Sequence, residues 1–232
     1  MRRPGARRGP RRERRAGRRL LPDRQRQQGR RRVRVAHRTP QVSRPRPRPK
    51  PRVLVHACCA PDALYVFEVL GEGHDVTGFF SNSNIHPREE YELRLGEARK
   101  VAGLLGVPLV EDAYDPDRWL AVAGKFKDEP EKGRRCDVCY ALRLERTAER
   151  AARDGFDLFA TVMSLSPWKK AAVMNRIGRQ FGARYGVRFL EADFKKKDGF
   201  KKSVELSRAG GLYRQSYCGC LYSMRAAKGG DR

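Results

Sequence analysis

No apolar run in these 232 residues approaches the roughly 18 that a membrane-crossing helix needs. The amino end has no apolar middle of the kind a secretory signal requires. Both absences point to the cytosol. Acidic residues are nearly missing from positions 1–50, which hold 21 Lys or Arg against two carboxylates. That stretch therefore carries +19 of the net +25. The other 182 residues hold 31 basic and 25 acidic side chains, +6 in all, so the body is only mildly basic. Histidine is scarce: the four in the chain are too few and too scattered to argue from. His56 alone falls where it would either line a site or sit satisfied in the core. No cysteine stands by itself. All six come in pairs, Cys58-Cys59, Cys136-x-x-Cys139 and Cys218-x-Cys220. In a reducing compartment, close pairs far apart in sequence suggest one shared site more than a disulfide scaffold.

Residues 1–50 are Arg, Pro, Gly and Gln without a usable period, and they hold seven of the fourteen prolines. Such a composition buries too little surface to offset its ordering entropy, so a disordered Arg-rich tail is expected. It reads as a basic arm for RNA, as a tail without function, or as sequence from a start codon called too early. Residues 51–232 are expected to form one domain.

That domain begins with an apolar run, Val53 to Val55, that reads as a buried strand and ends at Cys58-Cys59. Pro61 suits the first turn of a helix, and Leu64, Val66, Phe67, Val69 and Leu70 carry that helix to Gly71. A second strand is predicted over 75–80, followed by the polar loop Ser81-Asn82-Ser83-Asn84. A helix is predicted over about 87–105, a strand over 107–110 and a short helix after Asp115-Pro116. Residues 125–135 read as a charged loop and 136–153 as a helix. A strand over 158–163, a helix over 168–185, a strand over 187–190 and a short helix near 203–208 complete the pattern. Strands alternating with helices give an α/β fold, a Rossmann-like doubly wound parallel sheet. Its ligands bind at the carboxyl ends of strands. The ends of the first and fourth strands, with the loop after Leu105, are expected to converge on one crevice.

The first cysteine pair sits where a strand hands over to a helix, whose amino end favours thiolate. Cys136-x-x-Cys139 suits zinc, an iron–sulfur cluster or dithiol redox chemistry. Two pairs supply the four thiolates of a closed zinc site or a [4Fe–4S] cluster, and the third pair is then surplus to plain zinc. A bridge across Cys218-Gly219-Cys220 would close a strained ring, and strained bridges are readily reduced. Redox cycling, metal ligation and packing all remain open for that pair. Asp62, three residues after Cys59, reads either as a solvated first-turn carboxylate or as a hard oxygen ligand beside soft sulfurs. Lys169-Lys170, Lys195-Lys196-Lys197 and Lys201-Lys202, near Phe194, Phe200, Tyr213 and Tyr217, read as a nucleic-acid grip or as an ordinary solvated face.

Several motifs occur together in one order. They are His56-Ala57-Cys58-Cys59-Ala60-Pro61, Ser81-Asn82-Ser83-Asn84-Ile85-His86-Pro87 and Arg135-Cys136-Asp137-Val138-Cys139-Tyr140. After these come Thr161-Val162-Met163-Ser164-Leu165-Ser166-Pro167, Lys195-Lys196-Lys197-Asp198-Gly199-Phe200 and Gly211-Leu212-Tyr213-Arg214-Gln215-Ser216-Tyr217-Cys218-Gly219-Cys220. Over residues 53–223 the chain resembles the QueH-type epoxyqueuosine reductases of queuosine biosynthesis. The resemblance implies an adenine-nucleotide hydrolase-like sheet in which the cysteine pair replaces a phosphate loop. It implies a [4Fe–4S] cluster held by Cys58, Cys59, Cys136 and Cys139, with an adjacent mononuclear iron for which Asp62 is a candidate ligand. It makes Cys218 and Cys220 the redox-active pair. The implied substrate is tRNA carrying epoxyqueuosine, and an electron donor is required. The alternative from another class is a zinc-stabilised RNA-binding module without catalysis. A general thiol–disulfide oxidoreductase is less apt, since no thioredoxin-like context surrounds Cys136-x-x-Cys139.

Overall fold

The computed structural model describes residues 49–228. The expected disordered tail falls almost wholly on residues 1–48, outside the described residues. Five strands form one parallel sheet in the order β3-β2-β1-β4-β5. They are β1 (Arg52–His56), β2 (Asp75–Phe80), β3 (Leu109–Glu111), β4 (Leu158–Thr161) and β5 (Arg188–Phe189). Among the described residues seven α-helices accompany them: α1 (Ala60–Gly71), α2 (Arg88–Leu105), α3 (Pro116–Ala123), α4 (Arg134–Arg153), α5 (Ala171–Tyr185), α6 (Gly199–Ala209) and α7 (Leu221–Lys228). The expected doubly wound α/β fold is therefore the observed one.

The topology follows from burial. β1 lies at the centre, paired with β2 from Arg52↔Asp75 to His56↔Phe79 and with β4 from Val53↔Leu158 to His56↔Thr161. Val53, Leu54 and Val55 are fully buried, as a strand covered on both faces requires. Chain order reverses between β1 and β4, which makes the cleft beyond their carboxyl ends the switch point where such sheets bind ligands. His56 closes β1 and is fully buried. Its Nδ1 stands 3.0 Å from Thr161 Oγ1, and its Nε2 faces two acceptors, Ser81 O at 3.3 Å and Asn82 Oδ1 at 3.2 Å. Burial then keeps the ring neutral, with a pKa lowered to about 3. His56 is thus a satisfied core histidine that ties the ends of three strands together.

Several boundaries differ from the sequence reading for identifiable reasons. β4 stops at Thr161 because the Thr161 hydroxyl accepts from the Met163 amide and starts a 3-10 turn over Val162–Leu165. α5 begins at Ala171, since Trp168 and Lys169 belong to a turn after Pro167. α6 is longer than expected, and α7 was not foreseen at all. The loop after Leu105 enters β3 from the amino edge. The segment after Glu111 instead lies beside the end of β2, where Ser81 Oγ donates to Asp112 at 2.7 Å and Asp112 pairs with Arg146.

α5 packs tightly on β5. A Cβ on Gly178 would lie 2.5 Å from the Phe189 ring, whereas one on Gly103 in α2 would meet nothing within 4 Å. Alanine gains about 1 kcal/mol over glycine in a helix, but overpacking costs about 1–3 kcal/mol. Urea titration is expected to show Gly178→Ala destabilised and Gly103→Ala stabilised by up to about 1 kcal/mol. Equal effects would contradict the close α5–β5 contact.

Candidate active site

The cleft at the switch point is where the sequence features meet. β1 delivers Cys58 and Cys59 to the sheet edge. Cys59 caps α1 with an extended backbone (φ −161°, ψ 151°), and Pro61 and Asp62 fill the first helical turn. This turn resolves the alternation of a regular strand, and it brings both thiols to one place. Asp62 is only 6% exposed, so the solvated-carboxylate reading fails. Burial, and then the nearby Cys58, raise its pKa to about 6, against the pull of Lys169, Cys59 and Arg214.

α4 begins just before the second pair. Cys136 is half-buried and accepts from the Lys132 amide at 3.2 Å, while Cys139 is buried one turn on, against Trp119. The third pair arrives on the segment between α6 and α7. Gly219 there has φ 126° and lies against Arg94 and Ile85, so a Cβ would be both strained and crowded. Cys220 is buried beside Cys139 and Trp119, and Cys218 is half-buried.

All six thiols are free. Cys136, Cys139, Cys218 and Cys220 surround one small space with Trp119, Arg135 and Arg143. Cys136 and Cys218 also line a larger cavity of about 480 Å³, together with Asp62, Tyr140, Lys169 and Arg214. Cys58 and Cys59 pack in the main core next door and reach this wall through Asp62. The tightest grouping therefore joins the second and third pairs, with the first pair adjoining. Among the described residues, no three His, Cys, Asp or Glu side chains form a ready-made metal site.

The surroundings favour negative sulfur at Cys58 and oppose it at the other thiols they shift. Cys59 donates to Cys58, and with Lys169 and Arg143 nearby Cys58 loses its proton easily; the same hydrogen bond holds the proton on Cys59. Burial raises Cys136 to about 11 and also raises Cys139, with Arg143 opposing the latter shift. Burial works against charge on Lys169, yet Cys218, Cys58 and Asp62 outweigh it and keep the ammonium protonated. Arg143, 4% exposed, is held charged in the same way by Cys139, Cys58 and Cys218. Around the sulfurs lie buried N–H groups with no hydrogen-bond partner, Arg135 Nε and Arg143 Nη2. Trp119 Nε1 lies close enough to Cys139 to favour its thiolate. Six free thiols, buried cations and unspent N–H donors are a fit for a thiolate-bound metal group, which tolerates burial because its charge is matched.

Sequence reasoning missed Arg94, Trp119, Lys132 and Arg143. Arg94 is the most consequential. It is 2% exposed on α2, pairs with Glu90 at 2.6 Å, and donates to the carbonyls of Tyr217 and Cys218 at 3.1 Å each. The Glu90–Arg94 spacing of four was the only available signal, and surface helices show the same spacing. The His86 amide donates to Gly219 O at 2.8 Å, and Tyr217 donates back to His86 O. The third cysteine pair is thus pinned from α2 and from the loop after β2.

Fold and site together define a parallel α/β protein whose strand-end cleft gathers free thiols, a buried carboxylate and cationic side chains. Residues 53–226 match the family model described as "Epoxyqueuosine reductase QueH", and the chain belongs to that family. It is 37% identical to the epoxyqueuosine reductase QueH of Streptococcus pyogenes serotype M1, over 75% of this chain and 70% of that one. It is 35% identical to the Staphylococcus epidermidis protein of that name, over 74% and 76%. The Thermotoga maritima protein is 37% identical over 74% of this chain and 90% of its own. No helix of the described residues is long and apolar enough to cross a membrane.

Replacing Arg94 by Met removes the cation and leaves two carbonyls and Glu90 without it. A loss of about 3 kcal/mol is expected from breaking a buried pair, with faster amide exchange at residues 216–220. Unchanged exchange there would show that Arg94 does not hold the segment.

Proposed function

We propose that the protein is an epoxyqueuosine reductase acting on the wobble nucleotide of tRNA. Family membership supports this reading, and so do the free thiols and carboxylate on one wall of a cavity. The observation that carries it is that cavity of about 480 Å³, a size suited to one modified base, with Cys136, Cys218 and Asp62 on its wall. The reaction opens the epoxide, adds two electrons and two protons, forms the carbon–carbon double bond of queuosine and releases the oxygen as water.

In this reading Cys58, Cys59, Cys136 and Cys139 hold a [4Fe–4S] cluster and Asp62 holds an adjacent iron. When bound, these groups supply low-potential electrons and a Lewis acid for the departing oxygen. Cys218 and Cys220 form the redox-active pair, and their packing against Cys136 and Cys139 supports that role. Lys169 and Arg214 place positive charge on the cavity wall, where negative charge develops on the leaving oxygen. Tyr140, Phe200 and Tyr217 supply aromatic walls for a base drawn out of its stack. The substrate is tRNA, whose phosphates are met by the basic residues of the body. The site is cytoplasmic, and an electron donor completes the cycle.

The grouping of Cys136, Cys139, Cys218 and Cys220 also favours a second reading, a zinc-stabilised RNA-binding module, since four thiolates satisfy a structural zinc. Anaerobically purified protein separates the two. A brown protein with absorption near roughly 400 nm that dithionite bleaches supports the reductase; a colourless protein with stoichiometric zinc supports the module.

Incubating anaerobic, reconstituted protein with epoxyqueuosine-bearing tRNA and a reductant, then analysing the nucleosides, is expected to yield queuosine. Persistence of epoxyqueuosine in iron-loaded protein would overturn the reading. Cys136→Ala is expected to lose cluster iron. Asp62→Ala is expected to keep the cluster and lose about 100-fold or more in turnover, the scale of a lost Lewis acid.

A further inference from the structure

Trp168 is 69% exposed on the wall of the cavity that holds Asp62, Cys136 and Cys218. It sits in the turn between β4 and α5 and adds nothing to the buried core. Its ring is partnered on one side: the Lys132 ammonium lies 5.0 Å from the ring centroid, within cation–π range. Lys132 adopts a left-handed backbone, φ 72°, a conformation that residues with a Cβ rarely take. Its amide donates to Cys136 Sγ at 3.2 Å. One strained residue thus links the exposed indole to a cysteine of the reactive wall. Such strain in a loop beside a site is often retained for what it positions.

The surroundings identify what the ring meets. Trp168 is followed by Lys169 and Lys170, and the cavity also carries Arg214. Asp62 and Glu131 are the two carboxylates of the lining. A single tryptophan among cations is the combination that binds single-stranded nucleic acid, where bases stack on aromatic faces and phosphates meet Lys and Arg. A protein-docking surface would instead centre on a contiguous apolar patch. A base drawn out of the anticodon stack leaves its neighbour with one face uncovered. We propose that Trp168, backed by Lys132, is the stacking platform for the nucleotide next to the base that enters the cavity. This rests on the reading of the cavity as a wobble-base site.

The protein offers a direct test, because its two tryptophans differ so sharply: Trp119 is 3% exposed. The probe is an anticodon stem-loop RNA carrying epoxyqueuosine at the wobble position. Binding is expected to quench the emission of Trp168 in the native protein, and Trp168→Ala is expected to lose that signal. Base–aromatic stacking sets the size of the effect, about tenfold weaker binding for Trp168→Ala, or about 1.4 kcal/mol. The same variant is expected to raise KM with kcat retained, and Trp168→Phe to keep most of the affinity. Lys132→Asn, which tolerates the left-handed backbone, is expected to weaken binding as well. Equal stem-loop affinity in native protein and Trp168→Ala would overturn the platform while leaving the reductase reading intact. Failure of the native protein to bind the stem-loop would overturn both.

Discussion

The structure is governed by two cations kept among sulfurs. Arg143 is buried on α4 with one nitrogen bonded to the Cys139 carbonyl at 3.3 Å and another without a partner. Lys169 faces Cys218, Cys58 and Asp62. Removing a charge from water costs several kcal/mol unless a nearby counter-charge compensates. Asp62 alone does not balance two cations, particularly as its own carboxyl is pushed toward protonation. Cys58, which loses its proton easily, adds negative charge to the balance, and thiolate is the state in which cysteine binds metal or attacks a disulfide.

The sheet makes this arrangement possible. Parallel strands send all their carboxyl ends to one edge, and the reversal of order between β1 and β4 opens a cleft there. β1 brings the first pair, the segment after β3 leads through α3 to α4 and the second pair, and the segment beyond α6 brings the third. Distance in sequence is cancelled by topology. The last pair has no strand to hold it, and the side chain of Arg94 and the loop carrying His86 do that work instead. The buried His56–Asn82 and His56–Thr161 contacts tie the carboxyl ends of β1, β2 and β4, with Asn82 Nδ2 also donating to Ala57 O at 2.7 Å.

Much of this was legible in the chain itself. The apolar run before Cys58, the periodic helices and the paired cysteines specify a strand-first α/β fold with thiols at one edge. They do so because burial and spacing act locally. What stayed hidden depends on tertiary partners. Arg94 looks like a surface residue of a charged helix until its carbonyl partners on Tyr217 and Cys218 are in place. Trp168 looks like the start of a helix, and only the turn after Pro167 sets it facing the cavity. Asp62 carries no sign of its burial, because walls such as Tyr140, Lys169 and Arg214 come from far along the chain.

The central claim is that the six thiols serve one iron-bearing pocket. Anomalous diffraction at the iron edge from anaerobically grown crystals measures this directly. The account predicts iron within bonding distance of Cys58, Cys59, Cys136 and Cys139, with a further site beside Asp62. Zinc alone in the space among Cys136, Cys139, Cys218 and Cys220, or iron bound away from this cleft, would contradict it.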